Sequence, residues 1–248
     1  MINRNKIIVI VLAVLSLSSC YNYKSMLLLQ EKNSALPVYE KTKYEPYRIR
    51  VNDEIIYRLI TSDVTISKLI STESGVSGQN QISYRVYTDG TIDLPFINSI
   101  AIMGLTLDEA TLVIEKRFKE LIPDAVVKIS LANKTFTVFG DAGSGIFNIY
   151  KDKLTIFQAL SLSGDFNESS DRKHIRIIRE TDNGNQILEF DIRPKSIIDS
   201  KYYYVYPNDI IYVRREFSSF YKVNNYSSLL NIVISSMSLL FTVLNYSN

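Results

Sequence analysis

Between residues 47 and 213 apolar side chains recur at every second position in short runs, each run closed by Gly, Pro, Asn or Asp. That period is the mark of half-buried strands joined by turns. Tyr47-Arg48-Ile49-Arg50-Val51 alternates as a strand, Asn52-Asp53 turns the chain, and residues 54–60 resume extended character. Residues 61–81, rich in Ser, Thr and Gly, read as a loop or insertion. Alternation on both sides of Asp89-Gly90, a pair that tolerates positive φ, predicts a hairpin that continues through Ile97, Ile100 and Ile102. Thr106 and Glu109 then stand at capping-box spacing. The helix they open places Ala110, Leu112, Val113, Ile114, Phe118 and Leu121 largely inward, stops before Pro123, and is followed by a strand over 124–131.

The pattern repeats with a different order in the second half. A strand over 135–139 ends at Gly140, Gly143-Ser144-Gly145 precedes a short strand over 146–150, and Thr155 with Gln158 forms a second capping box whose helix ends near Gly164. Residues 175–179 and 187–191 flank Asp182-Asn183-Gly184, a second hairpin signal. Residues 202–206 and 210–213, on either side of Pro207-Asn208-Asp209, complete the sheet. A strand pair, one helix and a return to strands suits a β-grasp.

At the end of the chain the period changes to that of a helix. Residues 223–248 carry no charge, and Ser228, Asn231, Ser235, Ser238, Thr242 and Asn245 fall at intervals of three and four, a polar stripe on a largely apolar surface. At about 1.5 Å per residue, residues 228–244 run roughly 25 Å, suited to a thin bilayer. A membrane-spanning helix with one wet face is expected. The stripe has two readings, the lining of a pore and the close packing of neighbouring helices.

The opposite end reads as a signal peptide: Arg4 and Lys6, an apolar run over 7–15, then Leu17-Ser18-Ser19-Cys20. The small residues before the lone cysteine resemble a bacterial lipobox, which implies cleavage before Cys20 and acylation of its thiol and new amine. Tyr21 in place of Asp points, by the same resemblance, to the outer membrane. Removal of residues 1–19 takes two basic and no acidic side chains, leaving 26 of each sign, so a nucleic-acid partner is not expected. Cys20 is the only cysteine and His174 the only histidine, which excludes an intramolecular disulfide and multi-histidine metal sites. His174 sits in a strand-like run as a surface or satisfied residue. No Gly-rich phosphate loop is present, and no metal or cofactor is expected. Asp89 and Asp93 flank a turn and Asp108 and Glu109 start a helix, so neither pair makes the two-carboxylate cleft of a glycan hydrolase, and the chain reads as no enzyme.

The stretch from Tyr84 to Leu131, with Asp89-Gly90-Thr91-Ile92-Asp93-Leu94-Pro95, Gly104-Leu105-Thr106 before Glu109-Ala110, and the opening Tyr47-Arg48-Ile49 with Asn52-Asp53, resembles the polysaccharide biosynthesis/export domain. Asp89, Gly90, Pro95, Gly104, Thr106 and Glu109 read as its architectural residues. Val138-Phe139-Gly140, the helix ending at Ser163-Gly164, and 207–213 resemble the soluble-ligand-binding β-grasp domain, although Gly143-Ser144-Gly145 and Ser163-Gly164 depart from its usual loop glycines. Tyr202, Tyr203, Tyr204 and Tyr206 are candidates to stack on sugar rings or, more simply, strand and interface tyrosines.

The expected fold is therefore α+β: signal peptide 1–19, lipidated tether 20–45, export domain 46–133, one β-grasp domain 134–215, and a C-terminal transmembrane amphipathic helix within 216–248. The order resembles that of outer-membrane polysaccharide export lipoproteins. That resemblance implies a homo-oligomeric ring, an octamer, with a helical barrel through the outer membrane and globular domains in the periplasm. Its partners would be polysaccharide, outer-membrane lipid and an inner-membrane copolymerase or chain-length regulator. The alternative is a membrane-tethered β-grasp protein that binds glycan or scaffolds an assembly without conducting.

Overall fold

Strand β1 (Glu54–Ile60) alternates Ile55 and Tyr57 into the core with outward residues between them, and it pairs antiparallel with β2 (Tyr84–Arg85) on one side and β5 (Val126–Leu131) on the other. The coordinates are a computed structural model that describes residues 26–31, 35–66, 82–181, 184–217 and 226–246. They are mixed α+β, as the sequence predicts.

The Asp89-Gly90 turn forms, with the Gly90 N–H donating to the Tyr87 carbonyl at 3.0 Å, but its ladder differs from the predicted hairpin. Strand β3 (Thr91–Leu94) pairs with β4 (Ile97–Ala101) across Pro95-Phe96, and β2 has joined β1 instead. Two alternating runs beside a turn do not reveal which neighbour each will choose. Likewise Tyr47–Val51 forms no strand; only Arg48 bridges to Thr106. Helix α1 (Leu107–Lys119) begins at the predicted capping box, and it buries Ala110, Ile114 and Phe118 against β1, β4 and β5. Ile114 and Phe118 each contribute about 1.5–3 kcal/mol through that burial. Leu112 and Leu121, predicted to face inward, are 68% and 58% exposed, and Val113 is also exposed. The stripe is narrower than the apolar content suggests because only the i, i+4, i+8 row meets the sheet.

Past β1, Asp124 gathers the Thr61 hydroxyl at 2.8 Å, the Ser62 N–H at 2.7 Å and the Ser62 hydroxyl. These donors, the Ser62 hydroxyl first, hold the Asp124 carboxyl down to about 2 from its ordinary 3.8. A depressed carboxylate contributes stability that is complete above the unfolded value and is lost as pH falls through the folded one, here between about 4 and about 2. An NMR titration of the Asp124 carboxyl should give that low midpoint; a midpoint at or above 4 would show that the hydroxyl clasp is not formed in solution.

The second unit is built on a five-stranded sheet of order β10-β9-β12-β6-β7, where β6 is Thr135–Gly140, β7 Gly145–Asn148, β9 Ser170–Thr181, β10 Gly184–Phe190 and β12 Ile210–Arg215. β12 and β6 are parallel neighbours and the other pairs are antiparallel. β9 and β10 form the predicted hairpin, with Ile175 opposite Phe190, while residues 182–183 lie outside the described set. Between β7 and β9 come β8 (Leu154–Thr155), paired with β11 (Tyr204–Val205), and helix α2 (Ile156–Ser163). α2 opens with the Thr155–Gln158 capping box and closes on Gly164 in the left-handed region at φ 105. A Cβ on Gly143 would lie 1.3 Å from the Ser163 carbonyl oxygen, so only glycine lets the loop after β6 rest on the end of α2. Ile156, Ala159 and Leu160 of α2 cover Phe136, Val138, Ile175, Ile177, Ile211 and Val213 on one face of the sheet.

The segment expected to be a bare tether is packed where it is described. The Gln30 N–H donates to the Arg193 carbonyl at 2.7 Å and the Lys195 N–H to the Gln30 carbonyl at 2.8 Å, as a parallel bridge to Pro194. Leu28 and Tyr39 pack on the second unit's core, and the Thr42 N–H donates to the Asp199 carbonyl at 2.8 Å. A segment with no period of its own gives no sequence sign of the surface it will cross.

Helix α3 (Tyr226–Tyr246) follows residues 218–225, which lie outside the described set. Among the described residues no helix is long and apolar enough to cross a membrane; the side chains at 226–230, 240 and 243–245 of α3 are not among them.

Candidate functional site

Residues 47–53, 86–91 and 102–109 form one hydrogen-bonded knot around two turns. Asp89 accepts from the Thr91 N–H at 2.9 Å and the Thr91 hydroxyl at 2.8 Å, and these donors, the backbone one first, hold its carboxyl below the usual range. The Gly90 carbonyl accepts from the Ile102 and Met103 N–H groups, each at 3.1 Å. Gly104, at φ 79, donates its N–H to the Ile49 carbonyl at 2.9 Å, and its own carbonyl accepts from Arg48 Nη1 at 2.7 Å. Arg48 also lies 3.6 Å from Glu109, whose carboxylate accepts from the Thr106 N–H at 2.8 Å and is held below its ordinary range by that bond. Asp89, Gly90, Gly104, Thr106 and Glu109 are thus brought together as turn and cap, and Pro95 stands apart at the β3–β4 turn. Beneath them Asp53 is buried, accepting from the Tyr47 hydroxyl at 2.9 Å and the Arg50 N–H at 2.8 Å. Burial pushes both the Tyr47 hydroxyl and the Asp53 carboxyl above their ordinary values. This geometry fixes a chain path and exposes no reactive group.

Residues 41–132 match the family described as polysaccharide biosynthesis/export protein. This part of the chain is a polysaccharide export domain. The match supports a role connected with polysaccharide export and comes from a family of export proteins, not of enzymes. It begins at residue 41, before the expected boundary at 46, and so takes in Tyr44. In the export domain Gly104 tests the turn on its own, since a Cβ there meets nothing within 4 Å and only the positive φ resists a side chain. Gly104→Ala should cost about 1–2 kcal/mol, read as a lower midpoint in urea; an unchanged midpoint would mean the left-handed turn is not maintained.

Outside the export domain, the four candidate sugar-stacking tyrosines are engaged within the chain. Tyr202 stacks on Phe190 at 4.9 Å and meets Tyr39 edge-on at 5.4 Å. Tyr203 meets Tyr204 at 5.0 Å, Tyr204 meets Tyr44 at 4.9 Å, and Tyr206 lies parallel to Tyr44 at 6.0 Å. The Tyr206 hydroxyl donates to the Glu45 carbonyl at 2.8 Å, and burial raises it to about 12. Tyr202, Tyr204 and Tyr206 hold residues 39–45 to the second unit while Tyr203 packs on Tyr204 and Phe157, a role the sequence carries only as the aromatic content of these segments.

Next to this cluster is a charged pair that sequence reading passed over. Asp209 is fully buried and accepts two bonds from Arg179, Nε at 2.9 Å and Nη2 at 2.7 Å, plus the Tyr206 N–H at 2.8 Å. The Arg179 guanidinium also covers the Tyr206 ring at 4.2 Å. Burial pushes the Asp209 carboxyl up and Arg179 opposes it. Asp in Pro207-Asn208-Asp209 carries a turn signal that hides its second role.

His174 on β9 has its Nδ1 2.9 Å from Asp171 Oδ2 and 2.8 Å from Arg214 Nη2, the partnered strand histidine that its surroundings in the sequence suggest. It borders an open groove of about 440 Å³ with Pro37, Tyr39, Lys173, Glu189 and Arg193. Among the described residues no cluster of His, Cys, Asp or Glu is placed to hold a metal ion.

On α3, Ser235 donates to the Asn231 carbonyl at 2.6 Å and Thr242 to the Ser238 carbonyl at 2.8 Å. The preceding turn therefore satisfies these two hydroxyls of the stripe. Ile232, Val233, Ile234, Met237, Leu239 and Phe241 are exposed in the single chain. The side chains of Ser228 and Asn245, and Cys20 with the signal peptide, lie outside the described residues.

Proposed function

We propose that the chain is a subunit of an outer-membrane translocon for capsular or exopolysaccharide, a passive ring whose α3 helices line a hydrated pore. The observation that carries this reading is the joining of a polysaccharide export domain to an uncharged helix with one polar stripe. A lone helix would leave the Asn231 amide facing hydrocarbon, and an amide without a partner there costs several kcal/mol. A ring of helices turns Ser228, Asn231, Ser235, Ser238, Thr242 and Asn245 to water. The stripe also dilutes the apolar character of α3, as a span shared between copies permits and a solitary anchor does not. Neutral hydroxyls and amides hydrogen-bond a hydrated polymer without holding it by fixed charge, which suits conduction.

The second unit supports the same architecture. Its sheet order, with the first and last strands parallel neighbours and one helix crossing a face, supports the reading of this unit as a β-grasp. An acylated Cys20 would give the subunit its lipid anchor, and the polymer would arrive from an inner-membrane copolymerase. We expect eight subunits, from the resemblance alone. Electron microscopy of the full chain in lipid should reveal rings with an open axial channel; solitary subunits that bind oligosaccharide would instead favour a tethered glycan-binding module, for which the polar groove beside Tyr39 is the available surface.

A further inference from the structure

The five-stranded sheet has two faces, and α2 covers one. On the other, cross-strand register aligns Ile187 of β10, Ile178 of β9, Ile210 of β12, Thr137 of β6 and Ile146 of β7 in a single row from edge to edge. Neighbours across a ladder share a face, so these side chains form one apolar band about 19 Å wide, at roughly 4.8 Å per strand. Phe139 and Tyr212, rings 4.8 Å apart, extend it in the next row. Ile146 is 73% exposed, Ile187 64% and Phe139 41%. The only charges in that second row, Arg176 and Glu189, pair with each other at 2.6 Å. Antiparallel strands with one free face ordinarily alternate to polar residues there; this row is apolar but for Thr137, while Glu180, Arg176, Glu189 and His174 carry the polar character of the face in the rows beside it. Such an apolar centre with a self-neutralised flank has the composition of a protein contact core.

Chain length says whose surface meets it. Nine residue steps separate Phe217 from Tyr226, at most about 32 Å of chain. Neighbouring helices in a barrel lie about 8–10 Å apart, whereas a unit of this size is about 30 Å across. Units hung from helices so closely spaced are pressed side by side. The β7 edge, Gly145-Ile146-Phe147-Asn148, has neither a charge nor a proline to repel a neighbour.

We propose that this outer sheet face is the apolar core of the contact between adjacent copies of the chain, an inference that rests on the ring proposed above. Purified full-length protein in detergent, weighed by light scattering, should have the mass of a ring. The double variant Ile146→Asp/Ile187→Asp should fall to the mass of one chain with an unchanged circular dichroism spectrum. A monomeric wild type would remove the ring and this contact with it; a wild-type ring that survives the double substitution would remove the contact alone. A photo-crosslinking amino acid at position 146 of the otherwise native chain, in cells, keeps the test independent of variant folding. A covalent dimer is expected, while adducts only to polysaccharide, to lipid or to another protein, or no adduct, would overturn the assignment.

Discussion

A Ser235→Arg substitution should lower polysaccharide at the cell surface at least tenfold while leaving the assembly's mass unchanged. Ser235 lies mid-way along the stripe, where its hydroxyl bonds back to the Asn231 carbonyl and adds little bulk. In the proposed pore an arginine there puts one cation per subunit into a ring of neutral groups. The charges repel one another along the axis, narrow the passage, and bind an anionic polymer too firmly for release. Assembly should survive, because in the proposed ring the stripe faces water and the apolar contacts between helices lie elsewhere. Quantifying surface polymer and weighing the detergent-extracted complex decide the matter together. Normal secretion would mean that the stripe does not line the conduit, and loss of the complex would mean that it serves helix packing instead.

Arg179→Met should be the most damaging single change in the second unit, at about 3–5 kcal/mol, because it strands a buried carboxylate. Asp209 has no exposed side-chain surface and Arg179 only 17%, so water cannot replace the guanidinium. The Arg179→Met/Asp209→Leu pair should regain much of that loss, since two apolar groups need no partner. Denaturant melts of the two single variants and the double variant provide the coupling. Additive losses would mean that the pair contributes nothing as a pair. Tyr206 makes the single change worse: its ring loses the covering cation, and its hydroxyl is the group that reaches Glu45.

What the sequence made legible follows from the range of each interaction. Both capping boxes, Thr106 with Glu109 and Thr155 with Gln158, open helices where spacing placed them, since a cap is settled within four residues. The β9–β10 hairpin is also local, and its register follows from alternation on both arms. β3 is different, because Asp89-Gly90 turns the chain as expected yet the better partner for Ile92 is Ile100, on the far side of Pro95. Leu112 was misplaced for a related reason: an apolar side chain beside the buried row of α1 is indistinguishable from it until the sheet's width is known. In the candidate site, the architectural part of the export domain was readable from its turn residues. The engagement of Tyr202, Tyr204 and Tyr206 was not, because their partners Tyr39 and Tyr44 lie more than 150 residues away along the chain in a segment without period. The Arg179–Asp209 pair was hidden in the same way, by 30 residues of intervening chain.

The bridge at Gln30 also sets where mechanical load travels. With its N–H and carbonyl clamped between Arg193 and Lys195, a pull on the chain before Met26 is delivered into the far end of β10 and the second unit's core. The turns and caps of the export domain, which lie beyond the further anchor points at Tyr39 and Thr42, feel none of that tension until those bonds have torn. A thermal or polymer-driven tug on the leading segment would therefore leave its turns and caps at rest.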